Sequence, residues 1–199
     1  MDRHSLLPNP TCRHRPPPPR YATGLEVTAG LRAAGHHVVM ACRSQERCLQ
    51  AKAALDARQL PGSCECRRLD LNDFASIRSF AFNMQSAAQP AIAVLVNNAG
   101  VMGLSPTRDG SCAHWRPNHL GPYLLTRLLL PRLAPDARII TVASEAHHRG
   151  RLHIAADART GRRQLDESGG GGGWLGWYAQ YARSKLANVL MTAELARRL

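Results

Sequence analysis

Apolar residues fall into short runs along the chain, separated by longer stretches with helical periodicity. Three of the runs predict buried strands: residues 36–42, 94–96 and 137–142. Three of the longer stretches predict helices: residues 25–34, 123–130 and 190–199. Gly35 directly follows the first helical stretch and is a typical stop signal. Strands that alternate with helices indicate an α/β fold with a parallel sheet.

Polar residues stand where two of these strands end. Asn97, Asn98 and Gly100 follow the second strand, and Ser144 follows the third. Open α/β sheets bind ligands outside the carboxyl ends of their strands. The pattern therefore predicts a ligand site at this edge, although the same residues are also common in ordinary turns.

Tyr181 and Lys185 are the strongest candidates for chemistry. Residues four apart share one helix face, with their Cβ atoms about 5–6 Å apart. An ammonium beside a phenol favours the phenolate, so the pair can pass a proton to or from a substrate oxygen. The chain contains 24 arginines and only two lysines, Lys52 and Lys185, which makes a lysine here notable. Taken alone, the pair is also compatible with an ordinary helix surface.

Taken together, these segments resemble the short-chain dehydrogenase/reductase family, and within it the retinol-dehydrogenase-like branch. The matching segments follow the family's order: residues 41–43, 69–71, 97–100, 109–110, 118–121, 143–148 and 181–188. The resemblance covers residues 24–199. It implies a Rossmann-like, doubly wound parallel sheet. It also implies an oxidoreductase that transfers a hydride between a nicotinamide cofactor and an alcohol or carbonyl substrate, which the branch suggests is lipophilic.

The resemblance assigns four catalytic residues. Tyr181 would be the acid/base, and Lys185 would lower its pKa and hold the nicotinamide ribose. Ser144 would hydrogen-bond the substrate oxygen, and Asn118 would support a water in the proton relay. Ser144 could instead simply end a strand.

The resemblance also assigns cofactor-binding residues. Asn97, Ala99 and Gly100 would line the cofactor channel, and Asp70 would lie near the adenine. Gly24 would be the last glycine of the phosphate-binding loop. The alternatives are turn formation by Asn97 and helix capping by Asp70.

Arg43 bears on the choice of cofactor. In a dinucleotide fold, an acidic residue after the second strand bonds the ribose 2′-hydroxyl, whereas an arginine accommodates a 2′-phosphate. No acidic residue precedes Glu46 at this strand end. NADP is therefore favoured over NAD, unless Arg43 is only one more exposed arginine.

Both ends of the chain depart from the family pattern. The earlier glycines of the phosphate loop correspond to Pro18 and Ala22, and proline lacks the N–H that such a cradle uses. The expected sheet lacks the first strand with its glycine-rich loop, and also the last two strands. Its second and fourth strands would then flank a gap. We expect residues 1–22 to be a disordered Pro/Arg-rich segment and residues 23–199 to be a partial domain with a flexible glycine-rich insert at 159–173.

Composition narrows the remaining classes. The 199 residues carry a net charge of +12, but no nucleic-acid-binding motif accompanies the spread arginines. No run is long enough to span a membrane, and no metal-ligand spacing is present. The six cysteines are expected to be reduced and the protein cytoplasmic, with organellar targeting left open. The family suggests a homodimer. The alternative function is a catalytically impaired fragment or an interaction module that does not bind cofactor.

Overall fold

The computed structural model describes residues 22–85, 90–103, 113–152, 154–156, 163–165 and 173–199. The helices are α1 (Ala22–Ala33), α2 (Gln45–Asp56), α3 (Phe74–Met84), α4 (Gly121–Leu129) and α5 (Gly173–Arg198). The strands are β1 (His37–Cys42), β2 (Ser63–Arg68), β3 (Ile92–Asn97), β4 (Leu133–Thr141), β5 (Ile154–Ala156) and β6 (Arg163–Leu165). A π-helical turn (Arg116–Leu120) precedes α4, a 3-10 turn (Leu130–Arg132) follows it, and a 3-10 helix (Glu145–Arg149) follows β4.

Local capping explains where several helices begin and end. Ser44 caps α2 by accepting a hydrogen bond from the Arg47 N–H at 3.3 Å. Asp73 caps α3 by accepting one from the Ala75 N–H at 2.8 Å. Gly35 has a φ of +85°, which suits glycine and turns the chain from α1 towards β1.

Parallel strands form two separate pairs among the described residues. β1 pairs with β2, with Met40 opposite Cys66, and β3 pairs with β4, with Val96 opposite Ile140. Within the described part of the chain, no hydrogen bonds join β1 to β3. The predicted α/β class is therefore confirmed, while the segment that would precede the family's first helix lies outside the described residues. β4 begins at Leu133, four residues earlier than predicted, because Leu133 pairs with Ile92 across a register shift.

Apolar side chains cover both faces of these strands. On one face, Ala29 of α1 and Leu55 of α2 pack with Met40 of β1 and Cys64 of β2. The second cluster joins α3 and α4 to β1 and β3, with partly buried Val39 and Leu95 at its edge. Its buried members are Leu69, Ile77, Phe80, Ala81, Met84, Leu125 and Leu129. Helices on both faces are the defining feature of a doubly wound sheet.

A disulfide joins Cys48 of α2 to Cys66 of β2. The expectation that all cysteines are reduced is therefore wrong for this pair. The packing of α2 on β2 places the two Cα atoms 5.9 Å apart, within the range that a disulfide spans. Cys42 and Cys64 are free thiols, and burial raises the pKa of the Cys42 thiol.

Several predicted segments lie outside the described residues. These are residues 1–21, most of the predicted insert at 159–173, and the 109–110 motif. Within the insert, β6 is described and pairs antiparallel with β5. No described helix has both the length and the apolar character needed to cross a membrane.

Candidate active site

Lys185 lies almost fully buried on α5, directly behind Tyr181. Only 3% of the residue is exposed, and its Nζ donates a hydrogen bond to the Val142 carbonyl at 2.9 Å. The same Nζ lies 5.8 Å from the centre of the Tyr181 ring. The structure therefore brings the phenol and the ammonium together, as the spacing of the two residues predicts. Burial lowers the pKa of the Lys185 ammonium.

Gly100 brings the loop after β3 against this ammonium. A Cβ atom built on Gly100 would lie 3.1 Å from Lys185 Nζ and 3.8 Å from Asn118 Oδ1. A side chain here would crowd the lysine. Ala99 and Gly100 are both exposed, so the loop forms an open edge beside Tyr181 and Lys185.

Ser144 and Tyr181 line the same cleft, which has a volume of about 400 Å³. Ser144 follows β4 and caps the 3-10 helix, where its Oγ accepts a hydrogen bond from the Ala146 N–H at 3.3 Å. Because the hydroxyl accepts this bond, its own proton remains able to point into the cleft. A hydroxyl donor and a phenol thus face one space large enough for a small substrate.

Asn118 sits fully buried at the centre of the π-helical turn. Its Oδ1 accepts from the Val101 N–H at 2.7 Å, while its Nδ2 donates to the Val101 carbonyl and to Ser184 Oγ. Asn188 Nδ2 donates to the Asn118 carbonyl at 2.9 Å. Asn118 therefore fastens the loop after β3 to α5. The Asn118 side chain forms this junction. One lone pair of its backbone carbonyl accepts the hydrogen bond from Asn188.

The backbone around Asn118 is a π-helical turn because of Pro117. Proline has no N–H to donate, so the helical hydrogen-bond pattern is interrupted there. Such turns are frequent at functional sites. Pro117 thus lies in a local widening of the helix at the turn before α4.

Asn188 and His119 are site residues to which the sequence analysis gave no role. His119 Nδ1 hydrogen-bonds Asn188 Oδ1 at 3.0 Å, so Asn188 bridges His119 and the Asn118 carbonyl. Asn188 follows Lys185 by three residues, which places it on a neighbouring part of the same helix face. Attention to that spacing could have identified it.

His114 packs behind Tyr181 and was also missed. Its ring is fully buried and meets the Tyr181 ring edge-on, with centroids 6.3 Å apart. His114 Nδ1 lies 3.4 Å from Gln180 Oε1. Burial lowers the pKa of the His114 imidazole, and it does the same for His119.

Two predicted cofactor residues, Gly24 and Asn97, lie beside the loop after β3. A Cβ on Gly24 of α1 would lie 2.9 Å from Asn98 Nδ2, so the start of α1 packs closely against this loop. Asn97 is buried, and its Nδ2 donates to Thr126 Oγ1 of α4 at 3.0 Å. Asn97 therefore holds β3 against α4, and its amide group is not directed at the open edge of the loop.

Asp70 and Arg43 follow β2 and β1 at the same edge of the sheet. Asp70 Oδ1 accepts from the Asn72 N–H at 2.9 Å and so forms a turn, while Asp73 caps the next helix. Arg43 is exposed. Because β1 and β2 are parallel neighbours, their carboxyl ends bring these two residues to one side of the molecule, as the sequence predicts.

The nicotinamide end of a dinucleotide fits the described residues better than the phosphate end does. At the nicotinamide end, Ala99 and Gly100 are exposed beside Lys185 and Tyr181, where a ribose and a ring could lie. At the phosphate end, the start of α1 offers backbone N–H groups near Gly24. The residues before Ala22, which would complete a cradle, lie outside the described part of the chain.

Comparison with known proteins identifies the family. The family model for short chain dehydrogenases matches residues 22–156. The chain belongs to the short-chain dehydrogenase family. The Rossmann-like fold of this family is thereby shown for the chain.

The individual relatives of this short-chain dehydrogenase are longer than the chain itself. It is 43% identical over 172 residues to dehydrogenase/reductase SDR family member 13 of Bos taurus, covering 83% of this chain and 41% of the relative. It is 40% identical over 182 residues to retinol dehydrogenase 11 of Homo sapiens, covering 88% and 52%. The chain thus spans about half the length of the curated relatives it matches.

A solved structure has a similar fold. The RhlG/NADP active-site complex of Pseudomonas aeruginosa is 26% identical, with a TM-score of 0.61, and the match covers 88% of this chain and 62% of that one. That neighbour was determined with NADP at its active site.

Proposed function

We propose that this short-chain dehydrogenase transfers a hydride between NADP(H) and a lipophilic alcohol or carbonyl compound. The observation that carries the proposal is the shared cleft of Ser144 and Tyr181, with the Lys185 ammonium held 5.8 Å from the phenol ring. A hydroxyl donor, a phenol and a neighbouring cation are what proton transfer at a substrate oxygen requires.

Each side chain of the cleft then has a defined task. Tyr181 exchanges a proton with the substrate oxygen, and Ser144 donates a hydrogen bond to that oxygen. Lys185 supplies the positive charge that favours the phenolate. The Asn118 carbonyl has a second lone pair beside the one that Asn188 uses, and this can hold a relay water.

The cofactor supplies or accepts the hydride, and residues at the strand ends would hold it. Lys185 would bind the nicotinamide ribose, with Ala99 and Gly100 forming the channel wall and Asn97 supporting it from behind. Gly24 belongs to the helix start near the phosphates.

Specificity for NADP rests on two further residues at the sheet edge. Arg43 would bind the 2′-phosphate and Asp70 would lie near the adenine. The NADP-bound neighbour supports the choice of NADP over NAD.

The relatives support further parts of the proposal. Several matching relatives are named retinol dehydrogenases, which supports a lipophilic substrate. We extend the proposal to a homodimer formed through the helices that hold Asn118 and Tyr181, and to a cytoplasmic location.

A second candidate function follows from the split sheet. β1 and β3 are not joined by hydrogen bonds within the described residues, and the cofactor would lie across this junction. A chain that cannot hold a dinucleotide there would instead act as an interaction module, without redox activity.

Titration with NADPH, followed by the cofactor's fluorescence, separates the two candidates. The enzyme proposal expects a dissociation constant below about 1 mM, and weaker binding of NADH. Arg43→Ala should reduce the preference for NADPH. Tyr181→Phe should keep cofactor binding and lose turnover. If NADPH does not bind even at millimolar concentration, the enzyme proposal is wrong and the interaction module remains.

A further inference from the structure

The cleft at Ser144 and Tyr181 is mainly polar where the structure describes it. Met102 and Ala146 are its aliphatic lining residues. The other described lining residues are Ser144, Glu145, His148, Arg149, Tyr178 and Tyr181. A purely hydrocarbon substrate would remove water from the exposed Arg149 and His148 side chains and offer them no hydrogen bond in exchange, which is unfavourable.

Arg149 and His148 line the same cleft as Ser144, towards the carboxyl end of the 3-10 helix. Ser144 caps the 3-10 helix at one end, and Arg149 is the last residue of that helix. At a rise of about 2 Å per residue, five residues separate their backbones by about 10 Å. A substrate that reaches both must therefore carry a polar group several bonds away from its carbonyl or hydroxyl carbon.

Cationic side chains outnumber acidic ones in the segments that form the cleft, which favours an anionic ligand. Arg149, Arg151, Arg183 and Lys185 are the cationic side chains in the described segments 144–152 and 175–193, and Glu145 is their one acidic side chain. Arg183 also fastens α5 to this region by donating to the Arg151 carbonyl at 3.2 Å. A positive surface around a cleft attracts anionic ligands.

Arg149 is placed to make the specific contact. Its side chain lines the cleft and is exposed, and none of the ion pairs among the described residues involves it. A guanidinium binds a carboxylate through two parallel hydrogen bonds, which gives direction as well as attraction. His148, whose ring stacks on His147 at 4.0 Å, offers a further donor beside it.

We propose that the substrate of this cleft carries a carboxylate, bound by Arg149 while Ser144 and Tyr181 hold its carbonyl or hydroxyl oxygen. This inference rests on the proposed function and narrows it to lipophilic oxo or hydroxy acids. Met102 and Ala146 contact the apolar body between the two polar ends.

Two probes that share one aromatic aldehyde and differ in a charge and a methyl group test the inference. 4-Carboxybenzaldehyde carries the carboxylate, and methyl 4-formylbenzoate is its neutral ester. Binding of each is measured by titration calorimetry, which needs no turnover, and NADPH oxidation is followed in parallel. The wild-type protein is expected to bind the acid about tenfold more tightly than the ester, in line with one added charge-assisted contact.

Arg149→Glu should abolish or invert this preference, and Arg149→Gln should weaken it. Arg78→Glu is the matched control. Arg78 is an exposed arginine of α3, a helix that packs against α4 and β2, so the same charge change there should leave the preference as it was.

The outcomes separate the two proposals. A preference for the acid that depends on Arg149, without NADPH oxidation, would refute the redox function and retain the carboxylate site. Equal binding of acid and ester, no binding of either probe, or a preference unchanged in Arg149→Glu would overturn the inference, even if both aldehydes are reduced.

Discussion

At the scale of single residues, the candidate site depends on how closely neighbouring groups can approach the Lys185 ammonium. Gly100 illustrates this, because its missing side chain admits the Lys185 ammonium to within 3.1 Å of where a Cβ would stand. Its φ lies outside the left-handed region, so the need for glycine there comes from space and not from backbone strain. The ammonium in turn is fixed by the Val142 carbonyl.

Gly100→Ala is expected to impair the site with little effect on folding. The added methyl group must displace the Lys185 ammonium by a few tenths of an ångström from its present place beside Tyr181. Misplacement of a catalytic group on this scale lowers kcat/KM by about tenfold. Steady-state kinetics with NADPH and a carbonyl substrate would measure the loss.

Gly30→Ala is the control for this change. Gly30 lies within α1, and no atom lies within 4 Å of the place that a Cβ would take. Activity should be unchanged, and unfolding in urea should show a gain of up to about 1 kcal/mol from helix propensity. Equal kinetics for wild type and Gly100→Ala would show that the ammonium position is not critical.

At the scale of elements, the π-helical turn and α5 form one unit through buried polar groups. Asn118, Asn188 and Ser184 are all at most 2% exposed and hydrogen-bond one another. His119 joins them through Asn188. A buried network of this kind is stable only when each member has partners, so it fixes how α5 lies against the start of α4. The position of Tyr181 follows from that docking.

The buried His114 and the half-buried His119 should make stability depend on pH. Burial lowers the pKa of His114 and of His119 from 6.5, so below about pH 6.5 the unfolded chain binds protons that the folded chain does not. Stability should therefore fall as the pH drops from about 6.5 towards the lower folded-state pKa, and these two groups should contribute no slope above that window.

Melting temperatures between about pH 7.5 and about pH 5.5 would measure this, with an expected fall on the order of 3 °C. The double variant His114→Gln/His119→Gln should flatten the acidic part of the curve. His36→Gln removes an exposed imidazole and serves as the control. A double variant that keeps the wild-type slope would assign the pH dependence to other groups.

At the scale of the whole molecule, local patterns in the sequence predict the fold well because they act within one element. The apolar runs of β1 and β3 and the Tyr181–Lys185 spacing needed no knowledge of tertiary contacts. The disulfide between Cys48 and Cys66 could not be predicted in this way, because it depends on how α2 packs on β2.

Side-chain direction is the other feature that the sequence left open. Asn97 was assigned to the cofactor channel, but its amide meets Thr126 of α4. Asn188 had no assigned role, yet it bridges His119 and Asn118. Such choices depend on which polar groups become neighbours after the helices dock. The spacing of Asn188 from Lys185 indicates a shared helix face, but it does not give the hydrogen-bond partners of Asn188.

The open edge of β1 gives the last prediction. The carbonyls of His36 and Cys42 accept hydrogen bonds from the N–H groups of Ser63 and Leu69, so these alternate residues face β2. Because backbone groups alternate in direction along a strand, Val38 and Met40 also face β2, while Val39 and Ala41 face away from it towards β3.

Amide hydrogen exchange, measured by NMR, should therefore alternate along β1. We expect the N–H groups of Val39 and Ala41 to exchange at least about tenfold faster than those of Val38 and Met40, because only the latter two lie on the paired side. Val38 and Met40 act as internal controls within the same strand. Equal protection of all four would mean that another strand occupies the space between β1 and β3. The sheet would then be continuous where a dinucleotide must bind, which would favour the enzyme over the interaction module.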